Sequence, residues 1–499
     1  MRFSVSIVII AYNTAQYIED CLNSVLSQNL ENTEVIIVDN CSTDGTSEKI
    51  INLTDGMSRV KYLRQKKNLG GAVAGNIGIK AASGKYVFLM DSDDVLPEGT
   101  LKALYENAEK NKSDIVIGRA KSIYGSEIKN FAFKFYSVPY CEVGVYSGIL
   151  EKPELIISPF YWGKLYNRKF LKSHRVYMQK DAIYADLYFI AKALKYAKKI
   201  SVTDELCYLW RRFDEIADTH ISITSKVNQK LTFSDRADSY VAVEKLFGGR
   251  KFRGIQKYLR LCNLVKLLIP AKFVPNDEEF AEFYFERMSG FLNNIELDDI
   301  CEFPYISAKK KLFCYFIKNG MKSEFLKYVN PEVSLEKRTE GNSRIYFSED
   351  LPENIPEAVL KQPRSKLKNC ELLEVGKENG NWIFGGVCSV PPKSRLKLAR
   401  ATVLKANGEE ILFSHISGEK GIKSKVPFSF ILPSEIFESL KEGEEYSIQI
   451  EYLLNRIFSE SPLKYGDENI TLTVSKGILL INKQAITEIK NTSNGEKDV

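Results

Sequence analysis

This 499-residue chain has no apolar stretch long enough to span a membrane, no CxxC pair among its nine cysteines and no basic stripe interleaved with aromatics. The first absence argues against a transmembrane segment. The second argues against a zinc ribbon or a thiol–disulfide redox motif, and thiols scattered from Cys21 to Cys388 suit a reducing compartment. The third leaves no expectation of a nucleic-acid partner. Neither charge sign dominates, since 70 basic against 64 acidic residues leave a net charge of +6. The opening Met1-Arg2-Phe3-Ser4 runs straight into a strand-like segment, without the charged, apolar and cleavage regions of a signal peptide. A cytoplasmic protein is expected, any membrane contact being peripheral at the inner face. No internal repeat is visible.

What is present is ordinary globular composition, 44% hydrophobic and 27% charged, in a chain too long for one core. The N-terminal part alternates two signals. Val5 to Ile10, Val35 to Val38, Val60 to Leu63 and Tyr86 to Met90 read as buried strands; Tyr17 to Leu26, Ser47 to Leu53 and Ala72 to Ala82 read as helices. Such alternation predicts a mostly parallel sheet with helical crossovers, with ligands held beyond the carboxyl ends of its strands. A helical pattern with few Gly or Pro runs from about Phe233 to Tyr328. After three prolines between Ser343 and Ser365, short β-like runs separated by turn signals suggest a small immunoglobulin-like β-sandwich. The expected organisation is an α/β catalytic domain over 1–225, a helical linker domain over 226–342, a linker over 343–365, an all-β domain over 366–488 and a disordered tail over 489–499.

The strongest chemical signal is Phe88-Leu89-Met90-Asp91-Ser92-Asp93-Asp94, an apolar strand ending in three carboxylates within four residues. Hard divalent cations take such oxygens together with substrate phosphates. Acids before Val95-Leu96-Pro97 also suit the start of a helix, so the cluster alone decides nothing.

Its context decides more. VSIVIIAYN from Val5, VDNCSTDGT from Val38 and NLGGAVAGNIGIKAASGKYVFLMDSDD from Asn68 follow in order, with Ala185-Asp186 later. Together they resemble the inverting family 2 glycosyltransferases, whose Rossmann-like catalytic fold is called GT-A. The resemblance is clear from about Ser4 to Gly118 and weaker to Thr224. It implies transfer of a sugar from a nucleotide donor, expected to be a UDP-sugar, with Mn²⁺ or Mg²⁺ as cofactor. By residue, it implies Tyr12 against the base, Asp39 on the base or ribose, Asn68 on the nucleotide, Asp91 on ribose or metal, Asp93 on the metal and Asp94 on the sugar hydroxyls. Asp186 takes the general-base position. Leu209-Trp210-Arg211-Arg212 and His220-Ile221-Ser222 resemble a later family segment, implying Arg211 or Arg212 on the diphosphate and His220 as a metal or phosphate ligand.

Two positions depart from the family pattern: Gly75 stands for the usual Arg and Ala185 for the usual Glu beside the base. They leave open a non-catalytic carbohydrate- or partner-binding protein on a degenerate transferase scaffold, although retained clustered acids favour the enzyme. A dinucleotide-dependent oxidoreductase is disfavoured because Ala11-Tyr12-Asn13-Thr14, not a glycine-rich loop, follows the first strand. The overall layout is similar to that of wall teichoic acid glycosyltransferases of Gram-positive bacteria. That likeness implies a cell-envelope polymer or lipid-linked glycan as acceptor and a homo-oligomer, a trimer among the candidates. Arg250 to Lys272 carries seven basic residues, no acid and an apolar helical face, a pattern shared by membrane-surface helices and by helices packed on protein.

Overall fold

The computed structural model describes residues 3–131, 134–140, 143–180, 182–212, 230–303, 305–340 and 343–363, and beyond these the strands between 370 and 485 given below. Two compact units emerge, one built from 1–125, 129–335 and 354–360, the other from 126–128, 336–353 and 361–499.

The first unit opens with the expected alternation: β1 (Val5–Ala11), α1 (Ile18–Leu26), β2 (Thr33–Asp39), α2 (Thr46–Thr54), β3 (Val60–Arg64), α3 (Gly71–Ala81), β4 (Tyr86–Asp91) and α4 (Thr100–Asn111). There follow β5 (Ile115–Tyr124), β7 (Gly144–Tyr146), β8 (Lys164–Asn167), α5 (Arg168–Ser173), α6 (Ala185–Tyr196) and β9 (Ile200–Arg211), the short β6 (Glu127–Lys129) after β5 falling largely in the second unit. The sheet order is β3-β2-β1-β4-β8-β5-β9-β7. The pairs β3-β2, β2-β1 and β1-β4 are parallel, while β8 runs antiparallel to both β4 and β5. The sheet is therefore mixed on that side. A strand reached through irregular chain, without a helical crossover, is free to return antiparallel. This is a Rossmann-like GT-A fold.

The apolar run of β1 is buried along its whole length, with helices on the sheet. Gly78 of α3 makes that packing close: a Cβ there would lie 2.1 Å from Cγ1 of Val8. One charge breaks the apolar rule. Glu34, in β2, is 0% exposed, and its carboxylate accepts from the hydroxyls of Ser6 (2.6 Å) and Ser83 (2.6 Å), the backbone N–H of Ser83 (2.7 Å) and Gly84 (3.1 Å), and Lys61 Nζ (2.8 Å). A buried charge is tolerated when its oxygens are so occupied. The knot ties β1, β2, β3 and the turn before β4 at the amino ends of the strands.

The register places the site at the other end. Ala11 pairs with Asp39 and Ile10 with Asp91, so β2 and β4 end beside the end of β1. Among the described residues the unit's helical part holds α7 (Lys230–Leu246), α8 (Arg253–Leu267), α9 (Glu278–Leu292), α10 (Leu297–Glu302), α11 (Ala308–Lys318), α12 (Lys322–Val329) and the short α13 (Glu357–Leu360). In α8 the apolar face of Ile255, Leu259, Cys262 and Val265 is buried. Lys257 pairs with Asp299 at 2.6 Å, Arg260 pairs with Glu244, and Lys266 points inward to Ile157 O at 3.1 Å. The amphipathic pattern of this helix thus serves packing within the first unit, against both the helical part and the segment ending at Ile157. Arg250, Lys251, Arg253 and Lys272 remain on the surface. Among the described residues no helix is long and apolar enough to cross a membrane.

The second unit contains a three-stranded sheet, β10 (Glu336–Glu340), β11 (Ser343–Phe347) and β12 (Lys361–Pro363), in antiparallel order. Much of the expected linker 343–365 is therefore ordered chain. Two antiparallel sheets follow. The four-stranded sheet is formed by β13 (Cys370–Glu378), β14 (Asn381–Ser389), β17 (Ser417–Gly418) and β18 (Lys425–Leu432). The six-stranded sheet is formed by β15 (Ser394–Lys405), β16 (Glu410–His415), β19 (Glu445–Arg456), β20 (Lys464–Ser475), β21 (Ile478–Ile481) and β22 (Gln484–Ala485). Strands β15 and β16 lie against β17 and β18, the two-layer relation of a sandwich. The expected disordered tail, 489–499, lies outside the described residues.

Candidate active site

Two loops interlock over the carboxyl ends of β1 and β2. After β1 the chain turns through Asn13, whose φ of 51° is in the left-handed region that Asn tolerates. The Asn13 N–H donates to Ser42 Oγ at 3.1 Å, its Oδ1 accepts from the Thr43 N–H at 2.9 Å, and the Ala15 N–H donates to Asp44 Oδ2 at 2.9 Å. Asp39 lies beneath. It is 0% exposed, and its carboxylate accepts from the Ser42 N–H (2.9 Å), Ser47 Oγ (2.5 Å) and the Tyr62 hydroxyl (2.7 Å). These bonds hold its pKa below the ordinary carboxylate value against the upward pull of burial. As placed, Asp39 shapes the loop from inside. Tyr12, 43% exposed, stands at the mouth. Asn68 is exposed on the loop before α3, tied to β2 by the Asn40 amide, which donates to Asn68 Oδ1 at 2.7 Å.

The acidic turn after β4 is braced by β9. The Tyr208 hydroxyl donates to Asp94 Oδ2 at 2.6 Å and accepts from the Asp91 N–H at 3.2 Å, while the Arg211 N–H donates to Asp94 Oδ1 at 2.7 Å. Asp94 is 1% exposed with both oxygens engaged, so it holds the turn from within. Asp91 and Asp93 are half-buried. Burial and the Asp93 charge push Asp91 up to about 7, opposed by the Tyr161 hydroxyl, which donates to Asp91 Oδ1; Asp186 adds a further upward push. Acids from β4 and from α6 therefore share one electrostatic site. Arg211 is anchored: its Nε donates to Asp93 O at 2.7 Å, its guanidinium meets Asp20 at 3.1 Å and lies 5.0 Å from the Tyr17 ring centroid. Arg212 stacks on Trp210 at 4.4 Å. His220 lies outside the described residues.

The family model for "Glycosyl transferase family 2" matches residues 6–175, spanning these loops and the acidic turn. The chain carries a family 2 glycosyltransferase domain. It is similar to "Glycosyltransferase GlyG" of Streptococcus pneumoniae, 34% identical over 28% of this chain and 45% of that one. It is also similar to "Poly(ribitol-phosphate) beta-glucosyltransferase" of Bacillus spizizenii, 27% identical over 67% of this chain and 51% of that one. The chain thus spans about half the length of these curated relatives. Among solved structures, S. aureus TarS 1–349 in complex with UDP-GlcNAc shares the fold, with a TM-score of 0.55 at 18% identity, covering 70% of this chain and 98% of that one.

Beyond the matched residues, Asp186 sits in the first turn of α6 and is half-buried. Burial raises its pKa to about 6, opposed by the Leu187 N–H bond and by the Lys266 and Arg236 charges from α8 and α7. Gly75, where the family's Arg would stand, faces Met178: a Cβ on Gly75 would lie 2.8 Å from the Met178 sulfur and 3.1 Å from Ile10 Cδ1. The Asn76 side chain fastens that segment, exchanging two 2.9 Å bonds with the Met178 backbone. Room that a longer side chain would need at position 75 is filled by Met178.

Among the described residues no three His, Cys, Asp or Glu side chains converge closely enough to hold a metal alone. The donor set is nevertheless of the hard kind, with burial and the Asp93 charge raising the pKa of both Asp91 and Asp94, and it suits a cation that shares its coordination with substrate phosphates. Sequence reasoning missed Tyr161 and Tyr208, which contact the acidic turn from distant strands and loops. It also missed the α7 and α8 cations near Asp186. The aromatic run Phe160-Tyr161-Trp162 was the only local signal for the first of these.

Proposed function

We propose that the protein is an inverting glycosyltransferase that moves a sugar from a UDP-sugar to a hydroxyl of a cell-envelope polymer, such as a polyol-phosphate wall polymer or capsular polysaccharide, or of a lipid-linked glycan. The observation that carries this reading is the acidic turn of Asp91, Asp93 and Asp94 at the carboxyl end of β4, braced by Tyr208 and Arg211 of β9 and lying within the residues that the family 2 model matches. Its support includes the UDP-GlcNAc bound to S. aureus TarS 1–349 and the poly(ribitol-phosphate) acceptor named for the Bacillus spizizenii relative.

In this reading Tyr12 and Asn68 face the nucleotide, and Asp39 acts by fixing the loop between them. Asp93 with Asp91 would hold Mn²⁺ or Mg²⁺, which supplies positive charge opposite the leaving diphosphate when bound. Arg211 adds a fixed cation beside the acidic turn. Asp186 takes the acceptor hydroxyl's proton as that oxygen attacks the anomeric carbon, and UDP leaves from the opposite face. The second unit, with its antiparallel strand edges, is proposed as the surface for homo-oligomer formation, for instance a trimer. Arg250, Lys251 and Arg253 are proposed as the contact with an anionic membrane face.

The test is nucleotide release from a panel including UDP-GlcNAc, UDP-glucose and UDP-galactose, with poly(ribitol phosphate) and Mn²⁺ or Mg²⁺. Acceptor-dependent, metal-dependent release is expected for at least one donor. Donor binding without turnover across polyol-phosphate and glycan acceptors would instead support a binding protein on a degenerate scaffold, the reading that Gly75 and Ala185 favour.

A further inference from the structure

The helix that carries Asp186 receives no cap bond from its N-cap side chain, that of Tyr184. Ala185, buried beside the base, has no polar side chain to brace its neighbour. Within the first turn the Asp186 carboxylate accepts the Leu187 N–H at 2.9 Å, so what remains to be fixed is the chain entering the helix, Ile183 and Tyr184.

The acceptor for the two N–H groups before the helix comes from α7. One oxygen of Asp235, Oδ1, accepts the backbone N–H of both Ile183 (3.0 Å) and Tyr184 (3.1 Å). The next residue, Arg236, donates to the Tyr184 hydroxyl at 2.8 Å, and its guanidinium carbon lies 4.4 Å from the Tyr184 ring centroid. Two consecutive residues of α7 therefore grip the two residues that precede Ala185-Asp186, one by backbone and one by side chain. A single acceptor atom shared by adjacent N–H groups fixes where the chain enters the helix, and Asp186 lies in the first turn after that point.

We propose that Asp235 and Arg236 are positioning residues for Asp186, so that the first helix of the helical part belongs to the catalytic machinery. The proposal rests on Asp186 being the general base. Asp235 sets the backbone from which the carboxylate projects, and Arg236 sets the Tyr184 side chain beside it. Neither touches the reacting atoms. The brace is supplied across the fold, from a helix about fifty residues downstream.

The experiment compares full-length wild type, Asp186→Asn, Asp235→Ala, Asp235→Asn and Arg236→Lys on UDP-GlcNAc and poly(ribitol phosphate), or on the panel donor giving the fastest release. It records kcat, donor KM and amide exchange at residues 183 and 184. Misplacing a catalytic group by about 1 Å costs on the order of 100-fold in rate. Asp235→Ala is expected to lower kcat by ~10–100-fold with donor KM within about twofold, and to speed exchange of both amides. Asp235→Asn keeps an oxygen that accepts the same two bonds and should restore kcat to within about threefold. Arg236→Lys leaves Asp235 untouched and loses the planar fork over Tyr184, so it should lower kcat, again without raising donor KM.

Wild-type kcat in Asp235→Ala, beside an inactive Asp186→Asn, overturns the proposal while sparing the base. An Asp235→Asn variant as slow as Asp235→Ala overturns it too, because a shared acceptor atom would then not be what matters. Full turnover by Asp186→Asn removes the base assignment itself and the proposal with it. If Asp235→Ala does not fold, the Arg236→Lys and Asp235→Asn results decide.

Discussion

Replacing Glu34 by Gln tests how the scaffold beneath the site is held. The carboxylate is fully buried and collects five donors from Ser6, Ser83, Gly84 and Lys61. Those bonds, with Lys61 the foremost among them, overcome the upward pull of burial and lower its pKa from 4.5 to about 2. At ~1.4 kcal/mol per pH unit, that difference corresponds to about 3 kcal/mol of stability at neutral pH. The sign follows from the direction. A depressed carboxylate contributes fully above its unfolded pKa, and the contribution is lost as pH falls from about 4.5 towards about 2. Thermal melts of wild type and Glu34→Gln should therefore differ by several degrees at pH 7. The gap should shrink to under about half by pH 3. Because the knot sits at the amino ends of the strands, UDP affinity of the folded variant should equal that of wild type. An equal Tm at pH 7, or a gap that does not change between pH 7 and pH 3, refutes the reasoning.

Asp93→Ala should abolish metal-dependent UDP binding while leaving Tm within about 2 °C of wild type, as for a surface change; metal-dependent binding by isothermal titration in that variant removes the metal assignment. Asp186→Asn should keep UDP affinity and lose about 100-fold or more of turnover. In wild type the rate should fall as pH drops through about 6, where Asp186 takes up a proton. Lysine 266 lowers that pKa, so Lys266→Met should move the acid limb of the pH–rate profile upward; a limb that stays in place denies the coupling. Gly78→Ala places a methyl 2.1 Å from Val8 Cγ1, and overpacking of about 1–3 kcal/mol should appear as a lower urea midpoint. A protein ending at Leu360 should retain UDP binding and, if the second unit drives assembly, sediment at a lower mass than its own chain-length difference accounts for.

Much of the site was legible because its signals are local. A strand buried on both faces needs a continuous apolar run, so β1, β2 and β4 announce themselves, and the polar residues that follow such strands mark the ligand end of the sheet. Asp91, Asp93 and Asp94 could be grouped by spacing alone. Spacing could not say which way each carboxylate turns. Asp39 is satisfied locally by Ser42 and Ser47 and from β3 by Tyr62, and Asp94 by Tyr208 and Arg211, which come from chain more than a hundred residues away.

The sequence by itself determined the alternating α/β order, the acidic strand end and the family 2 resemblance, because periodicity and short-range spacing depend on the backbone's repeat. Only the tertiary structure decided the antiparallel entry of β8, the Glu34 knot, the filling of the space over Gly75 by Met178 and the grip of α7 on the residues before Asp186. The basic helix α8 shows why. Its amphipathic pattern is the same whether lipid or protein covers it, and the partners that decide, Asp299, Glu244 and Ile157 O, lie from 16 to 109 residues away in the chain. Hydrogen bonds and ion pairs reach only across a few ångströms of space, and no one-dimensional pattern records which distant residues the folded chain brings that close.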